Sequence, residues 1–186
     1  MTMCAVRHIP NIITVARLAL TPLLVYFILQ GVYTGAVVVL TVICLTDIFD
    51  GLTARMLGAC TRVGAIMDVI ADLFYIVSSL VVLNIMHMAP FWLTLLVLFK
   101  FAEFCGTSSI LRKDSTESIF VSDLPGRICA VLFYIMPGII CLLHQLTFVG
   151  SSIVVTILQI MTIITALSST CLRCLKCMKI ERRQLL

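Results

Sequence analysis

LTDIFDGLTARMLGACTRVGAIMDVIADLF, residues Leu45 to Phe74, decides how this chain folds. It sets Asp47, Asp50, Gly51, Ala54 and Arg55 in the pattern DxxDGxxAR and, after eight intervening residues, Gly64, Asp68 and Asp72 in the pattern GxxxDxxxD. Positions i, i+3, i+4 and i+7 share one face of an α-helix. Asp47, Asp50, Gly51 and Ala54 therefore line one side of a helix, and Gly64, Asp68 and Asp72 line one side of the next. Leu57 to Arg62 is a short connection containing Gly58, which lets the two helices fold back on each other. Four carboxylates are expected to converge.

The flanking sequence is strongly apolar, an expensive setting for charge, and an acid inside such a helix is a functional candidate by default. Four acids together repel one another unless protons or cations neutralise them. An all-oxygen set suits a hard cation such as magnesium or manganese, and magnesium commonly completes its shell with substrate phosphate oxygens. Gly51, Gly64 and Ala54 leave space beside the acids, and Arg55 offers a planar fork for phosphate. The stretch reads as a metal-dependent phosphate or pyrophosphate site at a membrane face. A purely structural role would need basic partners for the acids, and Arg55 and Arg62 are the bases near them in sequence.

Composition supplies the setting. The 186 residues are 61% hydrophobic and 12% charged, and the mean hydropathy is +1.17, far above what a soluble domain needs. The expected fold class is an all-α integral membrane protein of six transmembrane helices, a single domain over residues 1–186, with a polar cavity at the cytoplasmic side. The net charge of +4 is modest and segregated, which speaks of a membrane face and against nucleic acid.

Outward from the acids, the spans are expected at Asn11–Leu29, Thr34–Leu57, Thr61–Ile85, Pro90–Leu111, Leu124–His144 and Phe148–Leu167, followed by a basic tail at about 172–186. Residues before Pro10 lack the small-residue cleavage site of a signal peptide, so the first span is expected to be retained. Arg17, inside that span, has two readings: snorkelling to the interface, or contact with a headgroup phosphate. Lys100 and Glu103, spaced i, i+3, read as an intrahelical ion pair or as a contact to substrate. Connections near Gly31, His87 and Gln145 carry no Lys or Arg, whereas Arg7, Arg62, Arg112, Lys113, Arg127 and the tail bases fall towards the other face. The positive-inside rule then places both termini and the acids on the cytoplasmic side. Cys171, Cys174 and Cys177 form CxxCxxC without a fourth ligand nearby and are expected to be reduced thiols. The three histidines, His8, His87 and His144, are scattered and are assigned no chemistry.

All eight fixed positions of the acid stretch match the signature of the CDP-alcohol phosphatidyltransferases, which the chain resembles over most of its length; by average residue usage, chance agreement at one starting point is on the order of 10⁻¹⁰. The opening PNIITVARLALTP, Pro10 to Pro22, is similar to the amino-terminal pattern of many members. The resemblance implies an integral-membrane homodimer that moves the phosphatidyl group of a CDP-diacylglycerol-type lipid to an alcohol and releases CMP. It implies metal ligation, by Mg²⁺ or Mn²⁺, at Asp47, Asp50 and Asp68. Asp72 would be the base for the acceptor hydroxyl and a further metal ligand. Gly51, Ala54, Arg55 and Gly64 would line the CDP moiety.

The acceptor is less sharply marked. Many relatives that use glycerol 3-phosphate carry Pro and Lys where this chain has Val69 and Leu73, while TRVGAIMD resembles inositol-using members. Length and the amino-terminal pattern favour glycerol 3-phosphate, with inositol or its phosphate next, and Arg112, Lys113 and Arg127 are the bases placed to hold an acceptor phosphate. A small cation transporter is the alternative of another class. It would need neither the glycines and Arg55 at this spacing nor all its acids in one leaflet.

Overall fold

The computed structural model describes residues 9–56, 62–111, 124–146 and 151–184, and it is all-helical among them. Six helices follow one another: α1 (Ile9–Leu29), α2 (Tyr33–Met56), α3 (Arg62–Ile85), α4 (Phe91–Leu111), α5 (Leu124–Gln145) and α6 (Ser151–Gln184). Three carry stretches long and apolar enough to cross a membrane, Ile66–Ile85, Leu124–Gln145 and Ser152–Lys176, and Val15–Leu29 and Tyr33–Asp47 are shorter apolar segments. Helices suit such segments, because they satisfy their own backbone and hydrocarbon offers no hydrogen bonds.

Two connections show how the helices are stopped. After α1, Gly31 takes φ 69°, its N–H reaches the carbonyl of Ile28 at 3.0 Å, and the N–H of Val32 reaches that of Phe27 at 2.9 Å. This is a Schellman cap, for which a residue without Cβ is the favoured choice. The same pair of bonds recurs after α3, from His87 to Asn84 at 2.9 Å and from Met88 to Leu83 at 2.8 Å, with His87 itself at φ 57°. Asn84 Nδ2 then donates to the carbonyl of Ala89 at 3.0 Å and draws the chain into Pro90 and α4.

The helices form two compact units. One comprises α1, α2, α3 and the half of α5 from Pro137; the other comprises α4 from Trp92, α5 up to Met136, and α6. The division falls at a residue that has no N–H to donate to the carbonyl four positions back. In the first unit α1 packs on both α2 and α3. Its buried stripe is Arg17, Thr21, Leu24 and Ile28, spaced i, i+4, i+7 and i+11. Ala36, Leu40 and Ile43 form the stripe of α2, and Tyr75, Ser79 and Leu83 that of α3. Gly138 lies against α2, where a Cβ would come within 2.8 Å of Leu40 Cδ2.

In the second unit the buried stripe of α6 is Thr162, Ala166, Ser169 and Arg173. Ile153, Ile157, Ile160, Ile164 and Leu167 on the same helix remain exposed, as suits a hydrocarbon solvent. This helix runs 17 residues past Leu167, the end expected from hydropathy. CLRCLKCMKIERRQ contains neither Gly nor Pro and is rich in helix formers, so a helix entering a polar medium has no reason to stop there. Hydropathy measures where apolar solvent ends, which is a different boundary from that of the helix.

Candidate functional site

The three stripes of the first unit end in charge. Asp47 continues the α2 series Ala36, Leu40, Ile43 by one more helical step, and Asp68 and Asp72 precede Tyr75 and Ser79 on α3 by the same spacing. Because α1 and α2 are joined by the tight turn at Gly31, Arg17 in the first half of α1 lies level with Asp47 in the second half of α2. Carboxylate oxygens of Asp47, Asp68 and Asp72 all lie within 4.8 Å of one another, a set able to hold a metal ion. The acid side chains are 30–41% exposed, open enough for a ligand to reach them.

Arg17 sits among these acids with a side chain that is 0% exposed. Its Nη2 donates to Asp47 Oδ1 at 2.5 Å, and its Nη1 donates to Asp68 Oδ1 at 2.9 Å and to Asp72 Oδ1 at 2.5 Å. One guanidinium thereby ties α1 to α2 and α3. Below it, the Thr21 hydroxyl donates to the Arg17 carbonyl at 2.9 Å, and Pro22 inside α1 offers no N–H to the carbonyl of Leu18. Arg17 therefore does not snorkel. The sequence signal that could have found it was its place, four residues before Thr21, on the stripe that continues through Leu24 and Ile28.

The remaining expected site residues are less fully described. Asp50, Gly51, Ala54 and Arg55 lie on the last turns of α2, but their side chains are outside the described residues. Gly64 is half-buried on α3, one turn before Asp68. Arg112 and Lys113 lie outside the described residues, and Arg127 is exposed in the first turn of α5. Among the described residues the acids brought together are Asp47, Asp68 and Asp72.

The donor set fits a divalent cation of the hard class, being three carboxylates with no sulfur or nitrogen ligand among them. Among the described side chains, three carboxylates and one guanidinium sum formally to −3 + 1 = −2, so acid is in excess there.

A second polar cluster, in the other unit, is built differently. Lys100 Nζ donates to Glu103 Oε2 at 2.8 Å, to Thr170 Oγ1 at 3.1 Å and to the carbonyl of Ala166 at 3.3 Å. Thr170 Oγ1 in turn donates to Glu103 Oε2 at 2.8 Å. One turn on, buried Arg173 donates to Thr107 Oγ1 at 2.8 Å and lies 5.0 Å from the centre of the Phe104 ring. Here the charges of Lys100 and Glu103 cancel, and the bonds join α4 to α6.

With this geometry in hand, comparison with known proteins is specific. The CDP-alcohol phosphatidyltransferase family model matches residues 7–171, and the chain belongs to that family. It is 37% identical over 138 residues to a cardiolipin synthase (CMP-forming) of Streptomyces coelicolor, covering 71% of this chain and 64% of that one. Over 99 residues it is 40% identical to a probable phosphatidylglycerophosphate synthase of Mycobacterium tuberculosis, covering 50% and 47%. Over 73 residues it is 38% identical to a CDP-diacylglycerol–glycerol-3-phosphate 3-phosphatidyltransferase of Aquifex aeolicus, covering 39% and 41%. The aligned stretch is in each case less than two thirds of the relative's own length.

The balanced cluster generates a stability prediction. Lys100→Met leaves the Glu103 carboxylate, only 12% exposed, without its cation, and should cost about 3 kcal/mol. Lys100→Met combined with Glu103→Leu should recover most of that loss. Melting temperatures in detergent for the single and double variants check this; a single variant as stable as the parent would show that the pair carries no structural weight.

Proposed function

We propose that the chain transfers the phosphatidyl group of a CDP-diacylglycerol-type lipid to an alcohol, releasing CMP. The observation that carries this reading is the gathering of Asp47, Asp68 and Asp72 within 4.8 Å, at the spacing of the family signature, at one end of three packed helices. Asp47, Asp50 and Asp68 would hold Mg²⁺ or Mn²⁺, with Asp72 as a further ligand. When bound, the cation would withdraw charge from the diphosphate and make CMP a better leaving group.

The residues of the chain do the remainder. Asp72 accepts the proton of the acceptor hydroxyl as its oxygen attacks the phosphorus that bears the diacylglycerol. The bond from that phosphorus to the bridging oxygen breaks, and CMP departs with the electron pair. Gly51, Ala54 and Gly64 would leave room for the cytidine and diphosphate, and Arg55 would hold phosphate oxygens. Arg112, Lys113 and Arg127 would hold the phosphate of the acceptor, offsetting the repulsion it meets from the acids.

Glycerol 3-phosphate is the acceptor this reading favours, supported by relatives named for phosphatidylglycerophosphate synthesis and for transfer to glycerol 3-phosphate. The relative named a CMP-forming cardiolipin synthase, aligned over 71% of this chain, supports a second reading, in which the accepting alcohol is itself part of a lipid. Inositol or its phosphate comes after these.

The whole is read as one membrane domain over residues 1–186, with six spans, a polar cavity, both termini and the acids on the cytoplasmic side, acting as a homodimer. The match of one family model to residues 7–171 supports a single domain, and the absence of Lys and Arg around Gly31, His87 and Gln145 supports the orientation.

Three measurements test this. In intact cells, a variant whose single cysteine is Cys174 should resist an impermeant thiol reagent, and labelling from outside would reverse the orientation. Purified protein should release CMP from CDP-diacylglycerol only with Mg²⁺ or Mn²⁺ and an acceptor. Asp47→Asn, Asp50→Asn, Asp68→Asn and Asp72→Asn should each remove nearly all turnover, with Asp72→Asn retaining the most CDP-lipid binding; full turnover in excess chelator would sink the reading. Finally, glycerol 3-phosphate, inositol and phosphatidylglycerol should be compared as acceptors. Arg127→Ala should raise KM for glycerol 3-phosphate on the order of tenfold while leaving CDP-lipid binding unchanged. Unchanged acceptor kinetics would remove Arg127 from the acceptor site.

A further inference from the structure

We propose that Arg17 is a built-in counter-cation that competes with the divalent ion for the acid site. It holds Asp47, Asp68 and Asp72 together before an ion binds, and it yields their oxygens when one does. This inference rests on the metal-dependent reading of the site.

Three features of the geometry lead to it. The guanidinium is fully buried on the core stripe of α1, so it belongs to the folded unit and is not a surface charge that drifts to the acids. It contacts the same three residues whose oxygens are close enough to share an ion. Each contact falls on Oδ1, at 2.5–2.9 Å.

An ion drawn to the same three carboxylates would lie within a few ångströms of the guanidinium that already bonds them, so the two positive charges compete for the same acids. Magnesium requires carboxylate oxygens at about 2.0–2.1 Å in near-octahedral order, which fills the space between them. Arg does not lose its proton in proteins, so it cannot relieve the conflict by becoming neutral; it has to move. Its charge is nevertheless needed in the free protein, because three carboxylates this close repel one another strongly in a medium of low dielectric. The displaced guanidinium stays tethered to α1 beside the site, a positive charge close to where an anionic diphosphate would lie. Arg17 is thus a positioning residue, one that acts through the carboxylates.

The experiment uses the full chain in detergent, freed of divalent ions, with Mn²⁺ binding followed by electron paramagnetic resonance and melting followed with and without Mn²⁺. Arg17→Gln should bind Mn²⁺ at least about tenfold more tightly than the parent, since removing one nearby positive charge and one competitor both favour the ion. It should also melt lower without the ion and gain more on adding it. Arg17→Lys keeps the charge but loses the planar fork, and should bind Mn²⁺ with intermediate affinity. Equal or weaker Mn²⁺ binding by Arg17→Gln would overturn the inference and make Arg17 a permanent member of the loaded site. If Arg17→Gln does not fold without the ion, Arg17→Lys decides alone: tighter binding than the parent supports competition, and equal or weaker binding refutes it. A parent protein that binds no Mn²⁺ would sink the metal-dependent reading and the inference with it, whereas a parent that binds and an Arg17→Gln variant that binds no better sinks the inference only.

Discussion

A single guanidinium holding three carboxylates inside an apolar helical unit is the interaction on which the candidate site depends. Asp47 arrives on α2, Asp68 and Asp72 arrive on α3, and Arg17 arrives on α1, so the charge balance of the acids is also the contact that fastens the three helices at that end. Removing α1 would leave three like charges facing one another without their shared cation, a cost added to the loss of its apolar contacts. The apolar stripes place the helices, and the charged ends of those stripes require that all three be present.

This dependence explains the order of residues along each helix. From the turn at Gly31 towards the site, α1 shows Ile28, Leu24, Thr21 and Arg17, a passage from purely apolar to polar to charged along one buried face. On α2 the face passes from Ala36 through Leu40 and Ile43 to Asp47, and on α3 from Leu83 through Ser79 and Tyr75 to Asp72. Each gradient points to the same end of its unit. Apolar packing at the far end fixes the helix axes, which then hold the charged side chains in register.

Much of this was legible beforehand, and what escaped did so for a common reason. The spacing of Asp68 and Asp72 placed them on one helical face, and the helix bounds from Tyr33 to Leu111 follow hydropathy to within a residue or so. Periodicity says which residues share a face of one helix; it does not say which helix that face meets. Arg17 could therefore be read as snorkelling or as a phosphate contact, when its partners lie 30, 51 and 55 residues away. Arg173 was hidden in the same way: it reads as one base of a cytoplasmic tail, yet it is 3% exposed, with Thr107 and Phe104 of α4 as partners. Both arginines sit on stripes whose other members are small or apolar, and only the tertiary contact shows which side of the helix is buried.

The two polar clusters also differ in a way that separates scaffold from chemistry. Around Lys100 the formal charges of Lys100 and Glu103 cancel, and Thr170 bonds to both, so the group is nearly complete as it stands. Such a group adds specificity to the pairing of two helices, with Glu103 Oε1 the one buried atom of the pair left without a hydrogen bond. Around Arg17 the acids outnumber the base by two, and the acid side chains keep a third or so of their surface open while the base has none. A fold that needed only to tie α1 to its neighbours could have used one acid. Among the described side chains, three acids on one base, accessible from outside, leave negative charge in excess. The imbalance is what gives a cation reason to enter, and the buried arginine is what keeps the acids close enough together for one ion to find them assembled.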